Sequence, residues 1–252
     1  MKNSLVKFLP TSWYLNLRWY DFKLSKKYTF NKLQNLRLQD DLIKGGYLPF
    51  DKARAIFVHI PKCAGISVNK ALFGSIAGGH TTLDQYINIF SPTEFKSYFK
   101  FTFVRNPWDR VVSAYFFLKK GGMNKYDAAF YQDELAKYDS FKHFVMDWLK
   151  PHNLHKHHHF APQLHYIIDK HKKVTVDYIC YFENIEEDFN YIAHRMGVDA
   201  YLTISNNVER EHYSEFYDDE TIKVVANIYQ DDIRLLNYQF EGCSALIRKI
   251  NL

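Results

Sequence analysis

An α/β fold with a mostly parallel central sheet flanked by helices is predicted by this sequence, and three observations carry the prediction. Apolar, β-branched and aromatic runs at 55–59, 100–104 and 174–182 read as buried strands. Helical patterns separate each run from the next, the signature of βαβ units. Two of the runs end in short loops that open a helix, so their polar residues fall at the carboxyl edge, where open α/β sheets bind ligands. With 252 residues and 47% hydrophobic content, the chain can bury one substantial core.

The first element is an N-terminal extension, residues 1–54, with a folded domain over 55–252. The extension holds eleven lysines and arginines against four aspartates, with Trp13, Tyr14, Trp19 and Tyr20 among them. A basic, aromatic arm can meet anionic lipid, glycan or nucleic acid. The alternative packs its aromatics on the domain and leaves the lysines in solvent. It is favoured because no amphipathic period persists through the segment.

The strand at 55–59 runs into His59-Ile-Pro-Lys-Cys-Ala-Gly-Ile-Ser67 and a helix over 66–74. Pro61 stiffens the entry and Gly65 lets the backbone approach a ligand closely. Free N–H groups at the helix start and the positive end of its dipole make the loop a place to hold phosphate near Lys62. The order of residues is not that of a Walker loop. Lys62 comes early, no glycine opens the loop, and Ser67 does not adjoin the lysine to hold magnesium. The dinucleotide fingerprint G-x-G-x-x-G is absent as well. Taken alone, the segment is equally an ordinary strand–loop–helix turn with a surface lysine.

A helix at 91–98 precedes the strand at 100–104, and a helix over 107–119 follows, capped by Asn106 with Pro107 in its first turn. Arg105 at the strand end can make paired hydrogen bonds to a phosphate, and Ser113, about two turns into the helix, can add another. The alternative is that Arg105 and Arg110 pair with Asp109 or cap the element. Two phosphate-shaped sites suggest one ligand with phosphates at separate positions. Helices at 139–149, 185–196 and 218–236 complete the pattern, the last two following the strand at 174–182.

At these residues the chain resembles a known family. His59–Ser67 resembles the 5′-phosphosulfate loop of the sulfotransferases, and Phe103-Val-Arg-Asn-Pro-Trp-Asp-Arg-Val-Val-Ser-Ala-Tyr115 their 3′-phosphate motif. The H-I-P-K-x-A-G-x-S form is most similar to the carbohydrate branch, which includes chondroitin, dermatan and heparan sulfotransferases and bacterial homologues. Tyr178-Ile-Cys-Tyr-Phe-Glu-Asn-Ile-Glu-Glu-Asp-Phe189 and the tail Thr221 to Tyr238 add further similarity, so that the resemblance covers roughly residues 53–240. Where that branch commonly has K-F-E, this chain has Tyr181-Phe-Glu183, which leaves a lysine role there unsupported.

The resemblance implies a P-loop-NTPase-like sulfotransferase fold and 3′-phosphoadenosine 5′-phosphosulfate (PAPS) as donor co-substrate. It places the donor on Pro61, Lys62, Cys63, Ala64, Gly65, Ile66 and Ser67, with Arg105 and Ser113 on the 3′-phosphate. Cys63 is read as a small loop filler. Arg210, in a polar loop with Asn206 and Tyr213, is a further 3′-phosphate candidate on a looser match. An ammonium at Lys62 suits stabilisation of charge on the departing phosphate. The sulfuryl group has few charges to neutralise, so no metal is required.

For the base that takes the acceptor proton, histidine is the natural candidate. His80 follows the donor-loop helix at a distance similar to that of the catalytic histidine in several carbohydrate sulfotransferases; the alternative is a loop histidine bonded to a neighbouring strand. His59 reads as a buried strand-end residue. A second cluster comprises His152, His155, His157, His158, His159 and His165. His155 and His159 have the i, i+4 spacing that could join two metal ligands on one helix face. The segment lacks H-E-x-x-H and a cysteine partner, so no metal is expected, and the cluster is read as acceptor-contacting or surface.

No apolar run approaches the ~18 residues of a membrane span, and no signal-peptide pattern opens the chain. Three widely spaced cysteines argue against a disulfide framework and fit a reducing cytoplasm. The expected enzyme is therefore a cytoplasmic, PAPS-dependent carbohydrate O-sulfotransferase, working in line with His80 as base and Lys62 on the leaving phosphate. The expected partner is a glycan acceptor; a peripheral contact of residues 1–54 with the inner face of a membrane is the less favoured alternative to their packing on the domain, and nucleic acid is not expected. The competing readings are a non-catalytic glycan-binding relative and a nucleotide-dependent kinase. Acceptor choice is expected in the loops around 76–96 and 120–170.

Overall fold

In a computed structural model that describes residues 9–39, 45–169, 176–202 and 211–248, the centre is a three-stranded parallel sheet in the order β1-β2-β3. Its strands are β1 (Ala55–Val58), β2 (Phe99–Val104) and β3 (Tyr178–Tyr181). Every residue of β1 is buried, the pattern of a strand covered on both faces rather than one that alternates. Val58 lies opposite Thr102, and Val104 opposite Tyr181. The three strands therefore end close together, and the loops that follow them share one edge. The Thr102 hydroxyl donates to the Val58 carbonyl at 2.7 Å, so this polar side chain is satisfied inside the sheet.

Three helices precede the sheet: α1 (Thr11–Ser25), α2 (Lys27–Leu38) and α3 (Leu48–Ala53). The inner face of α1 buries Tyr14 and Leu15, and is tied down by Tyr14 to Asp169 and Arg18 to Asp84. Arg37 of α2 binds Asp51 at 2.6 Å and Glu94 at 2.9 Å. The opposite face of α1 leaves Trp13, Leu17, Tyr20 and Leu24 exposed along one stripe at helical spacing. Among the described residues no helix is long and apolar enough to cross a membrane.

After β1 come α4 (Gly65–Phe73), α5 (Leu83–Ile89) and α6 (Pro92–Ser97). Helix α5 was not expected, although Thr82 and Gln85 form a capping box at its start. Helix α7 (Pro107–Lys119) has the predicted bounds, with the Asn106 side chain accepting from the Trp108 N–H at 3.0 Å. Next are α8 (Lys125–Phe130) and α9 (Phe141–His143). The helix predicted over 139–149 is instead α9 running into one wide turn, in which the Leu149 N–H bonds the Phe144 carbonyl. That widened turn carries Phe144 and Trp148, which pack against Phe160.

Helix α10 (Leu164–Ile167) leads towards β3, and α11 (Ile185–Met196) follows it with acidic residues in its first turn and left-handed Gly197 at its end. The helix predicted over 218–236 is two, α12 (Asp219–Ile228) and α13 (Gln230–Leu235), broken at Tyr229. A hairpin of β4 (Tyr238–Gln239) and β5 (Gly242–Cys243) ends the fold.

Candidate active site

The loop after β1 is tight because two residues with side chains take left-handed backbone conformations, Lys62 at φ 70° and Ala64 at φ 59°. Each costs about 1–3 kcal/mol and persists only where the surroundings fix it. Here Arg110 Nε donates to the Pro61 carbonyl at 3.0 Å, and Arg105 Nη1 to the Lys62 carbonyl at 2.9 Å. Such a turn gathers backbone N–H groups towards one side. Ala64 caps α4 without a side-chain oxygen, so the first N–H groups of the helix are not taken by a side-chain cap.

Gly65 has a reason besides the close approach of a ligand expected of it. A Cβ there would stand 1.8 Å from Cδ2 of His59, so the glycine admits the buried imidazole beneath the start of α4. The His59 ring stacks on Phe57, and burial holds its pKa well below the usual histidine value.

The loop forms the floor of a cleft of about 500 Å³, lined by Pro61, Lys62, Ala64, Gly65, Ile66 and Ser67. Arg105, Ser113 and Phe117 stand on one side, and His80, His158 and His159 also line it. Cys63 turns away: its thiol is buried, donates to Gln163 Oε1 at 3.6 Å, and has its pKa pushed up to about 12 by burial. Its side chain is no cleft residue, and any donor contact there runs through the backbone. Arg210 lies outside the described residues.

Arg105 makes the ion pair with Asp109 that was its alternative reading, and it also reaches Ser113. Its Nε pairs with Asp109 at 2.7 Å, while Nη1 also donates to Ser113 Oγ at 3.3 Å. The guanidinium carbon lies 4.0 Å from the ring centre of Phe182, the residue that follows β3. Lys62 Nζ lies 3.8 Å from the ring centre of Phe117. Residues from all three strand ends thus meet at this edge.

Arg110 does not pair with Asp109 as the alternative had it. It is fully buried and joins Pro61 to the Ala161 carbonyl, which Nη2 reaches at 2.9 Å. Three further residues, in stretches that resemble the family, frame the site in a role the sequence did not assign them. Gln163 bridges the end of β2, accepting from the Arg105 N–H and donating to the Arg105 carbonyl, both at 2.8 Å. Asp232 then accepts from the Gln163 N–H at 2.7 Å and the Leu164 N–H at 3.0 Å. Tyr229 at the helix break donates to the Phe160 carbonyl at 2.7 Å. The tail therefore anchors the segment that carries His158 and His159.

His80 sits in the loop after α4 with Nδ1 3.1 Å from the His59 carbonyl. A carbonyl only accepts, so Nδ1 carries the hydrogen and Nε2 keeps its lone pair. Burial lowers the His80 pKa, and the Arg110 guanidinium adds to the effect, so the ring is neutral at neutral pH. Its ring centre is 4.7 Å from that of His158 and 6.3 Å from that of His159. The i, i+4 pair of the sequence does not form: residues 154–161 are turns rather than helix, and His155 packs on His165 at 5.0 Å instead. The cluster divides, with His158 and His159 at the cleft and His152, His155 and His165 exposed.

Buried neutral histidines make stability depend on pH. Burial lowers the pKa of both His59 and His159, so between those folded values and ~6.5 the unfolded chain binds protons that the folded chain does not. Stability is then full above ~6.5 and is lost as pH falls, by about 1.4 kcal/mol per group for each pH unit. Urea unfolding at pH 7.5 and 5.5 checks this: the midpoint falls at the lower pH, and an unchanged midpoint contradicts it.

A family model described as the sulfotransferase family matches residues 47–239. Carbohydrate sulfotransferase 11 of Rattus norvegicus and of Mus musculus are each 28% identical to this chain, over 62% of it and 51% of their own length. The chain spans about half the length of these curated relatives. An uncharacterized protein of Archaeoglobus fulgidus is 32% identical over 45% of this chain and 79% of its own. No solved structure matches.

Proposed function

This chain belongs to the sulfotransferase family, and from that membership we propose that it moves a sulfuryl group from PAPS to a carbohydrate hydroxyl. The observation that carries the reading is one cleft holding Lys62, Ser67, Arg105, Ser113 and His80 together. The strained loop and the start of α4 suit the 5′-phosphosulfate, and Arg105 with Ser113 suits the 3′-phosphate. The relatives named for carbohydrate sulfation support the choice of acceptor class.

In the proposed step the acceptor oxygen attacks sulfur, and a new O–S bond forms as the bond from sulfur to the 5′-phosphate oxygen breaks. The electron pair of the broken bond stays on the phosphate, which leaves as adenosine 3′,5′-bisphosphate. The acceptor proton passes to His80 Nε2, the nitrogen left bare by the bond from Nδ1 to the His59 carbonyl. The Lys62 ammonium offsets the charge that grows on the departing oxygen.

Calorimetry with adenosine 3′,5′-bisphosphate, followed by transfer from labelled PAPS to a glycan panel, tests this. Binding is expected to weaken roughly 3–10-fold in Ser113→Ala, the loss of one hydrogen bond. Transfer is expected to fall about 10²–10⁴-fold in His80→Ala, with binding of the bisphosphate kept. No binding of the bisphosphate overturns the donor assignment. Binding without transfer to any glycan favours a non-catalytic relative.

A further inference from the structure

The histidines of the cleft have a property that the proposed transfer does not use. We infer that His80, His158 and His159 form a site for one divalent transition-metal ion of the zinc class. One ligand nitrogen from each of the three lies within 4.8 Å of the others. Zinc–nitrogen bonds of ~2.0–2.1 Å put tetrahedral ligands about 3.4 Å apart, so small side-chain rotations close the set. His158 is exposed and has room for them.

Two observations beyond proximity point to an ion. Metal-bound histidines commonly donate the other ring N–H to a carbonyl or carboxylate, which fixes the ring and aims its lone pair. His80 makes that bond, from Nδ1 to the His59 carbonyl. His159, only 6% exposed, has a buried Nδ1 with no hydrogen-bond partner. A buried polar atom left unpaired costs about 1–3 kcal/mol, which a bound ligand can recover.

The donor set defines the ion. Three imidazoles suit zinc, copper or nickel and not calcium or magnesium, which take oxygen ligands. Three protein ligands leave a fourth position facing the cleft, as in open zinc sites. Asp127 lies beside them, 3.3 Å from His157 Nε2, and with His157 and His158 forms an adjoining group of possible ligands. Spacing alone set metal binding aside, because His80 reaches the cluster only through the fold. The ion takes the same Nε2 lone pair that the proposed transfer gives to the acceptor proton, so a loaded site opposes transfer. Metal binding at these histidines does not require that reaction, although it competes with it.

The full chain, freed of metal with a chelator, is titrated with Co²⁺ and then Zn²⁺ while absorption and heat are followed. One Co²⁺ per chain with the visible absorption of a four-coordinate, nitrogen-rich site, displaced by Zn²⁺, is expected. His158→Ala and His80→Ala each weaken binding by at least about 10-fold, whereas His152→Ala and His155→Ala, on exposed residues, leave it unchanged. His158 is exposed, so its variant keeps the fold, as circular dichroism verifies. Binding that is absent, or that persists unchanged in His158→Ala, or that is lost in the His152 and His155 variants, overturns the inference.

Discussion

Lys62→Met is expected to lower kcat for sulfuryl transfer by about 10²–10³-fold, the usual size of losing one preorganised group that meets developing charge. Methionine isolates the charge. It has a similar length, tolerates the φ of 70° no worse than lysine, and keeps a sulfur contact with the Phe117 ring in place of the ammonium. Donor affinity is expected to change little, because the loop N–H groups, Arg105 and Ser113 are untouched. A fall in kcat at constant KM would locate the lysine's effect in the transition state. Initial rates with labelled PAPS, together with thermal melting to show an intact fold, make the measurement. A wild-type rate removes Lys62 from the mechanism; a raised donor KM at constant kcat makes it a ground-state phosphate anchor.

The parts of this site that could be read from sequence are those with local causes. The runs that became β1 and β2 are apolar because both faces of the sheet are covered. Asn106 with Pro107, and the acidic turn of α11 with Gly197, mark helix ends through bonds a few residues long. The same logic would have found α5, whose capping box is as local as any. What stayed hidden depends on distant partners. Nothing near Gln163 says that its amide completes the end of β2, and nothing near Asp232 says that its carboxylate holds Gln163. Tyr229 stands at the break of a helix that its own period continues, and its hydroxyl reaches the distant Phe160 carbonyl. The histidines misled for a related reason: helix spacing was applied to a segment that turns, while the nearest neighbour of His158 across the cleft came from the loop after α4.

Gly65→Ala is expected to damage stability and rate together, through His59. The new Cβ would lie 1.8 Å from Cδ2 and 2.0 Å from Nε2 of a ring that is itself buried. Overpacking of this kind costs about 1–3 kcal/mol or more, and for a chain of this size each kcal/mol lowers Tm by about 2–4 °C. The ring is buried, so a clash that packing keeps it from turning away from is passed to its backbone, and the His59 carbonyl is what holds Nδ1 of His80. A displacement of ~1 Å at a catalytic group costs about 10²-fold in rate, so activity should fall further than the lost stability explains. His59→Ala separates the two causes, since it removes the ring and keeps the carbonyl. If the clash is the cause, the double variant is more stable than the sum of the single losses predicts, by about 1–3 kcal/mol of coupling. Urea unfolding of the four proteins measures that coupling, and their transfer rates show whether relieving the ring also restores His80. Strict additivity would mean that Gly65 answers to the ligand side of the loop and not to His59.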